Sequence, residues 1–161
     1  MNETCNVVTI HADDELLQVL TYHLGNDVFA INVSQVKEVL RYKIIASIDD
    51  TPEYVKGIIN LRTKEITIIN VHSLFGLVPE DITINTRIII VEADGSYFGI
   101  MVDNIADVVY LKPSNIHAEY NWAAKKNSKF NQGVFYNNNR LIRLVDYSRL
   151  VDYRRLLSEG S

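Results

Sequence analysis

The chain has 161 residues, of which 47% are hydrophobic and 22% charged, and its net charge is −4. That length and composition suit one compact domain with its own core and argue against disorder. The net acidity argues against nucleic acid as a partner, because phosphate binding needs a basic field, and no apolar run reaches the length of a membrane span.

In chain order, the N-terminal stretch MNETCNVVTIHADDELL has acids and no basic region before an apolar run, unlike a signal peptide. Leu17 to Leu24 is rich in β-formers and ends at the turn signal Gly25-Asn26-Asp27, after which Val28 to Val33 returns as a strand. Asn32 or Ser34 is placed to cap a short helical turn through Val36, Val39 and Leu40. At that spacing Val36 reads as a core-facing residue. Ile44 to Ile48 follows as a strand. Thr51-Pro52-Glu53 reads as a helix start, running to about Lys56 with Gly57 as its C-terminal stop.

Gly57 to Leu61 and Ile66 to Val71 are aliphatic strands on either side of Arg62-Thr63-Lys64-Glu65. Most charged residues between strands are simply solvated, so a wet turn is the first reading of Arg62. Arg87 to Ala93 and Tyr97 to Val102 flank the tight turn Asp94-Gly95. Ala106 to Leu111 continues the sheet pattern. Gly133 to Tyr136 and Leu141 to Val145 form a last hairpin around three asparagines. Asp146 then opens a C-terminal helix with Tyr147, Leu150, Val151 and Leu157 on one face.

Reactive chemistry is thin. Cys5 is alone, so no internal disulfide is possible, which fits a reducing cytoplasm. His11, His23, His72 and His117 have no ligand spacing and read as surface or edge residues, with no metal site expected. There is no phosphate-cradling glycine loop and no G-x-S-x-G elbow. Trp122, in AEYNWAAKKNSK, reads as a lid over the core. Lys125, Lys126 and Lys129 with Arg140 and Arg143 make a basic corner, solvated by default and an acidic-partner patch second.

The chain also repeats itself. FAINVSQVKEVL from Phe29 aligns without a gap on FGIMVDNIADVV from Phe98, and GIINLRTKEITIINVHSL from Gly57 aligns on GVFYNNNRLIRLVDYSRL from Gly133. Two matches in the same order imply a duplicated architecture. Each half supplies about five short strands, enough to curl into a small barrel without bare edges. Ala30 and Gly99 are small residues where backbones or sheets come close. Glu38 and its counterpart Asp107 occupy one architectural position. Two readings of Glu38 stand open: a solvated acid or local salt bridge, for instance to Arg41, and an anchor that pairs with Arg62.

At these residues the sequence resembles the CheW family of chemotaxis coupling proteins. The resemblance is carried by LTYHLGNDVFAINVSQVKEVL, TPEYVKGIINLR, FGIMVDNIADVVYL and the ending QGVFY…LIRLVDYSRL, over nearly the whole chain. It implies an all-β fold of two five-stranded SH3-like barrels with short helices and a C-terminal helix. The corresponding division is 15–84 mainly first subdomain, 85–146 mainly second and 147–161 the terminal helix, with exchange of strands between subdomains allowed.

It further implies a cytoplasmic, non-enzymatic adaptor without cofactor or membrane insertion, recruited to membrane-associated receptor arrays. Such an adaptor joins chemoreceptor cytoplasmic tips to the regulatory domain of the histidine kinase CheA. The alternative is a divergent adaptor for a non-chemotactic or special-receptor kinase system. The family's Asn-Leu-Arg motif is Asn60-Leu61-Arg62 here, and Val36, Glu38 and Gly57 match its contact regions. An Arg suits that role, since its planar charge fixes orientation through forked hydrogen bonds while its stem lies on apolar surface. The chain departs from the family at Thr63, usually Gly, at Thr67, commonly Pro, at Asn70, commonly Asp, and at Lys64-Glu65, often apolar. Thr is poor at positive φ, so the turn is expected to differ.

Overall fold

The computed structural model describes residues 15–118, 130–148 and 150. Ten strands run β1 (Leu17–Leu24), β2 (Asp27–Asn32), β3 (Val36–Arg41), β4 (Val55–Leu61), β5 (Lys64–Ile69), β6 (Arg87–Ala93), β7 (Ser96–Val102), β8 (Asn104–Leu111), β9 (Asn131–Asn137) and β10 (Arg140–Val145). A single helical turn, α1 (Val71–Leu74), follows β5, and 3-10 turns occupy Val33–Gln35 and Pro113–Asn115.

The strands form two five-stranded sheets, ordered β8-β1-β2-β10-β9 and β3-β6-β7-β5-β4. Renumber each half of the chain one to five and the two orders become the same order. Each sheet takes strands one and two from one half and strands three to five from the other. The repeat boundary and the sheet boundary therefore do not coincide, because strands are exchanged between the halves. Strands of different halves meet along the parallel pairs β2–β10 and β5–β7, at Leu144↔Ala30 and Ile68↔Gly99, and along the antiparallel pairs β1–β8 and β3–β6.

The exchange explains why the strand sequences are apolar on both faces. In β2, Val28 and Ala30 face one cluster with Val19, Phe135, Ile142 and Leu144, while Phe29 and Ile31 face another. In β6, Ile88 and Ile90 join Ile59, Ile66, Ile68 and Met101, while Ile89 and Val91 point the opposite way. Each sheet thus has its own small core on one face, and both share a large central core on the other. A strand buried on two faces loses its polar alternation, which is why VFAI, IIIV and FGIMV read as continuous apolar runs.

The central core is aromatic. Phe29 stacks on Phe75 with centroids 5.3 Å apart, and Phe98 meets Tyr147 edge-on at 6.4 Å. The buried hydroxyls of Tyr22 and Tyr147 bond each other at 2.5 Å, which satisfies both phenols away from water. Gly99 is small for a specific reason: a Cβ there would stand 2.6 Å from Ile68 Cδ1.

Three local expectations are corrected. The turn from Asn32 is only three residues long. Asn32 does cap it, accepting from Ser34 N at 2.9 Å, but Val36–Arg41 is a strand with Val36, Glu38 and Leu40 half-buried. A register shift between Val36 and Glu38 leaves Val36 on the central core and Leu40 on the small core of its own sheet. A short run of Val and Leu satisfies helix and strand spacing alike, and pairing with β6 decides the matter. Val36 still packs against the central core, as a strand residue.

The Thr51-Pro52-Glu53 start yields one turn, closed by Val55 N on Pro52 O at 2.9 Å, and β4 begins at once. Gly57 is therefore no helix stop but a strand residue at a register shift. Ile44 to Ile48 is not a strand; only Ala46 bridges, to Ile58. Helix α1 was not anticipated. Asn70 caps it by accepting from Ser73 N at 3.1 Å. Its repeat counterpart Asp146 accepts from Ser148 N at 2.9 Å, where Ser148 and Leu150 are helical. Tyr147 and Leu150 are fully buried, while Val151 and Leu157 lie outside the described residues.

His72 is also corrected: it is buried, not a surface residue, with Nε2 3.1 Å from Asp103 Oδ2. Arg140 donates to Asn26 O at 2.8 Å, and Arg143 lies 3.8 Å from Asp27, so these arginines brace the β1–β2 turn. The lysines of that corner, with Trp122, Cys5 and His11, fall outside the described residues. Among the described residues no helix is long and apolar enough to cross a membrane.

Candidate functional site

Arg62 and Thr63 are the two central residues of the β4–β5 hairpin, closed by the Leu61↔Lys64 pair. Both have positive φ, +48° and +70°. This is the tight two-residue geometry whose twist matches the flanking strands. Thr63 thus holds a positive φ although it is β-branched. Its counterpart, Asn138 and Asn139, has the same signs, with φ of +53° and +63°.

The hairpin places the Arg62 guanidinium against Glu38, 24 positions earlier. Nη1 donates to Oε2 at 3.0 Å and Nη2 to Oε1 at 2.6 Å, a forked pair. Of the two readings of Glu38, the geometry selects the partner of Arg62. The forked hydrogen bonds hold the Glu38 carboxyl below its usual value, against some desolvation, and the same bonds raise Arg62. The Arg62 side chain remains 70% exposed and Glu38 28%. Glu38 lies on β3 and Arg62 directly follows β4, the two edge strands of the second sheet. The pair therefore joins edges that share no ladder.

Around the pair lies an open groove of about 190 Å³. Ile66 and Ile90 are its buried floor, and Lys37, Lys64 and Tyr97 stand at its sides. Lys64 Nζ sits 5.8 Å from the Tyr97 ring centroid. Period-two alternation in β5 puts Lys64, Ile66 and Ile68 on one face and sends Glu65 to the other. Nothing in the sequence analysis singled out Lys37, Ile90 or Tyr97, which come from strands far apart in the chain.

The remaining expected residues divide. Asn60 is exposed on β4, and its carbonyl accepts from Lys43 Nζ at 2.9 Å. Val36 lies two residues before Glu38 and is half-buried. Gly57 is five residues from Arg62 on the same strand, away from the groove. Its φ is +154°, and a Cβ there would fall 2.1 Å from Ala46 O. Two backbone bonds of 2.9 Å hold Ala46 against Ile58 at this crossing. Gly57 supports the strand that ends in Arg62 rather than lining the groove. Among the described residues no group of three or more His, Cys, Asp or Glu converges as a metal site.

A family model, the CheW-like domain, matches residues 18–155. The chain is 26% identical to the chemotaxis protein CheW of Treponema pallidum, covering 92% of this chain and 90% of that protein. It is 28% identical to the chemotaxis protein CheW of Klebsiella aerogenes, covering 83% and 81%. The fold superposes on the crystal structure of the scaffolding protein TtCheW from Thermoanaerobacter tengcongensis with a TM-score of 0.76 at 26% identity, covering 85% of this chain and 88% of that one. Together with two sheets of matched strand order, these likenesses show that the chain belongs to the CheW-like family of chemotaxis scaffold proteins.

Proposed function

We propose that this protein is a non-enzymatic adaptor that couples chemoreceptor cytoplasmic tips to the regulatory domain of the histidine kinase CheA, acting in the cytoplasm at receptor arrays. The observation that carries the reading is the Arg62–Glu38 pair. It is a preorganised, solvent-facing guanidinium beside an apolar floor, held by a strand pairing that Gly57 makes possible. Fixing an exposed Arg in advance lowers the ordering cost of binding, and Arg is favoured where a few residues dominate an interface. Val36, Glu38, Gly57, Asn60 and Arg62 form or support the contact region in this reading. Coupling then follows from holding two partners at high effective concentration, with signal control through different affinities for kinase-on and kinase-off states.

The test is co-sedimentation with receptor-tip and kinase fragments, singly and together. Wild type is expected to join both, and Arg62→Ala to keep its melting temperature while losing one partner. Unfolding of that variant, or unchanged capture of both partners, refutes the reading. The departures at Thr63 and Thr67 favour a second reading, an adaptor for a special-receptor or non-chemotactic kinase system. Retained kinase binding with no receptor in any arm would support it.

A further inference from the structure

We infer that Lys64, with Lys37 across the groove, makes this contact surface selective for a partner segment that presents carboxylates beside an apolar side chain. The inference rests on the adaptor reading above and names the chemistry of what the groove accepts. Glu38 is committed to Arg62 through both oxygens, so the excess positive charge at the groove resides on Lys37 and Lys64, both exposed.

On a chain of net charge −4, this is a local inversion of sign, and sign complementarity steers partners and rejects wrong ones. Between the lysines lies an apolar floor of Ile66 and Ile90, buried in the folded chain and open only toward the groove. Tyr97 is 39% exposed beside it, with the Lys64 ammonium near its ring. Contact with an aromatic face restrains a flexible lysine, which suits a residue that must discriminate.

The fold does not require this arrangement. At the matched positions of the other sheet, Lys37 becomes Ala106 and Tyr97 becomes Val28. Lys64 becomes Arg140, whose guanidinium is bonded to Asn26 O. Strand pairing works there without a basic groove, so the groove is an addition to one sheet rather than part of the shared frame. Alternation sends Glu65 to the face opposite Lys64, so the adjacent acid does not neutralise it.

The experiment uses the whole protein with isoleucine methyls labelled for NMR. The probe is a short synthetic peptide with one leucine between two glutamates, and its twin has glutamines instead. The acidic peptide is expected to shift the Ile66 and Ile90 methyls and to bind at least about fivefold tighter than its twin, as two screened charge contacts allow. That preference should fall steeply between low and high salt. Lys37→Gln with Lys64→Gln should abolish it, while Lys64→Arg keeps it. Equal binding of the two peptides, shifts absent from both methyls, or a preference that survives the double variant overturns the inference. Failure of the adaptor reading is separate: it appears as receptor and kinase fragments indifferent to Arg62→Ala while the peptide preference persists.

Discussion

Replacing Gly57 by alanine tests the link between a backbone crossing and the site. A Cβ at Gly57 would lie 2.1 Å from Ala46 O and 2.8 Å from Ile45 Cγ2. The obstacle is backbone, which cannot step aside as a flexible side-chain tip would. The substitution must separate Ala46 from Ile58 and so lose two hydrogen bonds, each worth about 1 kcal/mol. Holding alanine at φ of +154° adds about 1–2 kcal/mol of strain. The sum is about 3–4 kcal/mol, a large part of the roughly 5–15 kcal/mol that holds a domain together.

For a chain of this size that corresponds to a melting temperature lower by roughly 10 °C. Gly95→Ala is the control. Gly95 also has positive φ, +78°, but no atom lies within 4 Å of its Cβ position, so only the conformational cost of about 1 kcal/mol remains. Denaturant melts of wild type and both variants decide it. Equal losses for the two would show that the crossing at Ala46 carries no stability, and the account of Gly57 as support for the Arg62 strand would fall.

Thr63→Gly should stabilise the fold by about 1 kcal/mol, since a β-branched residue at φ of +70° is strained; a lower melting temperature would refute the strained-turn reading. Tyr147→Phe should cost about 1–3 kcal/mol by leaving the buried Tyr22 hydroxyl unpaired. Adding Tyr22→Phe should recover part of that loss, and a strictly additive double variant in urea melts would argue against the bond. Burial raises both phenols above their ordinary value, so their stabilising contribution is complete below about pH 10 and fades as pH rises further. An ultraviolet titration showing either phenol ionising normally in the folded protein would contradict this.

Glu38 runs the other way, because its folded carboxyl is held low. The pair is intact above the ordinary Glu value of about 4.3 and is lost only as pH falls below it, so a carboxyl NMR titration with an ordinary midpoint would count against the forked pair.

Local chemistry made much of this protein legible. β-Branched and aromatic runs marked nine of the strand positions because strand preference is written over neighbouring residues. Asp94-Gly95 and the asparagines at 137–139 marked turns because positive φ favours few residue types. The two gapless matches revealed the duplication, and Arg62 could be placed in a hairpin from its flanking strands alone.

Tertiary pairing decided the rest. Val36–Arg41 became a strand because β6 offered it a ladder, and Gly57 became a crossing because Ala46 passes above it. That strands are exchanged between the halves depends on which edges meet, which period-two alternation within a strand does not encode. The forked bond from Arg62 to Glu38, and the seating of Lys64 beside Tyr97, arise between strands distant in the chain. The first exists only once the edges β3 and β4 of the second sheet come together, and the second only once β5 pairs with β7.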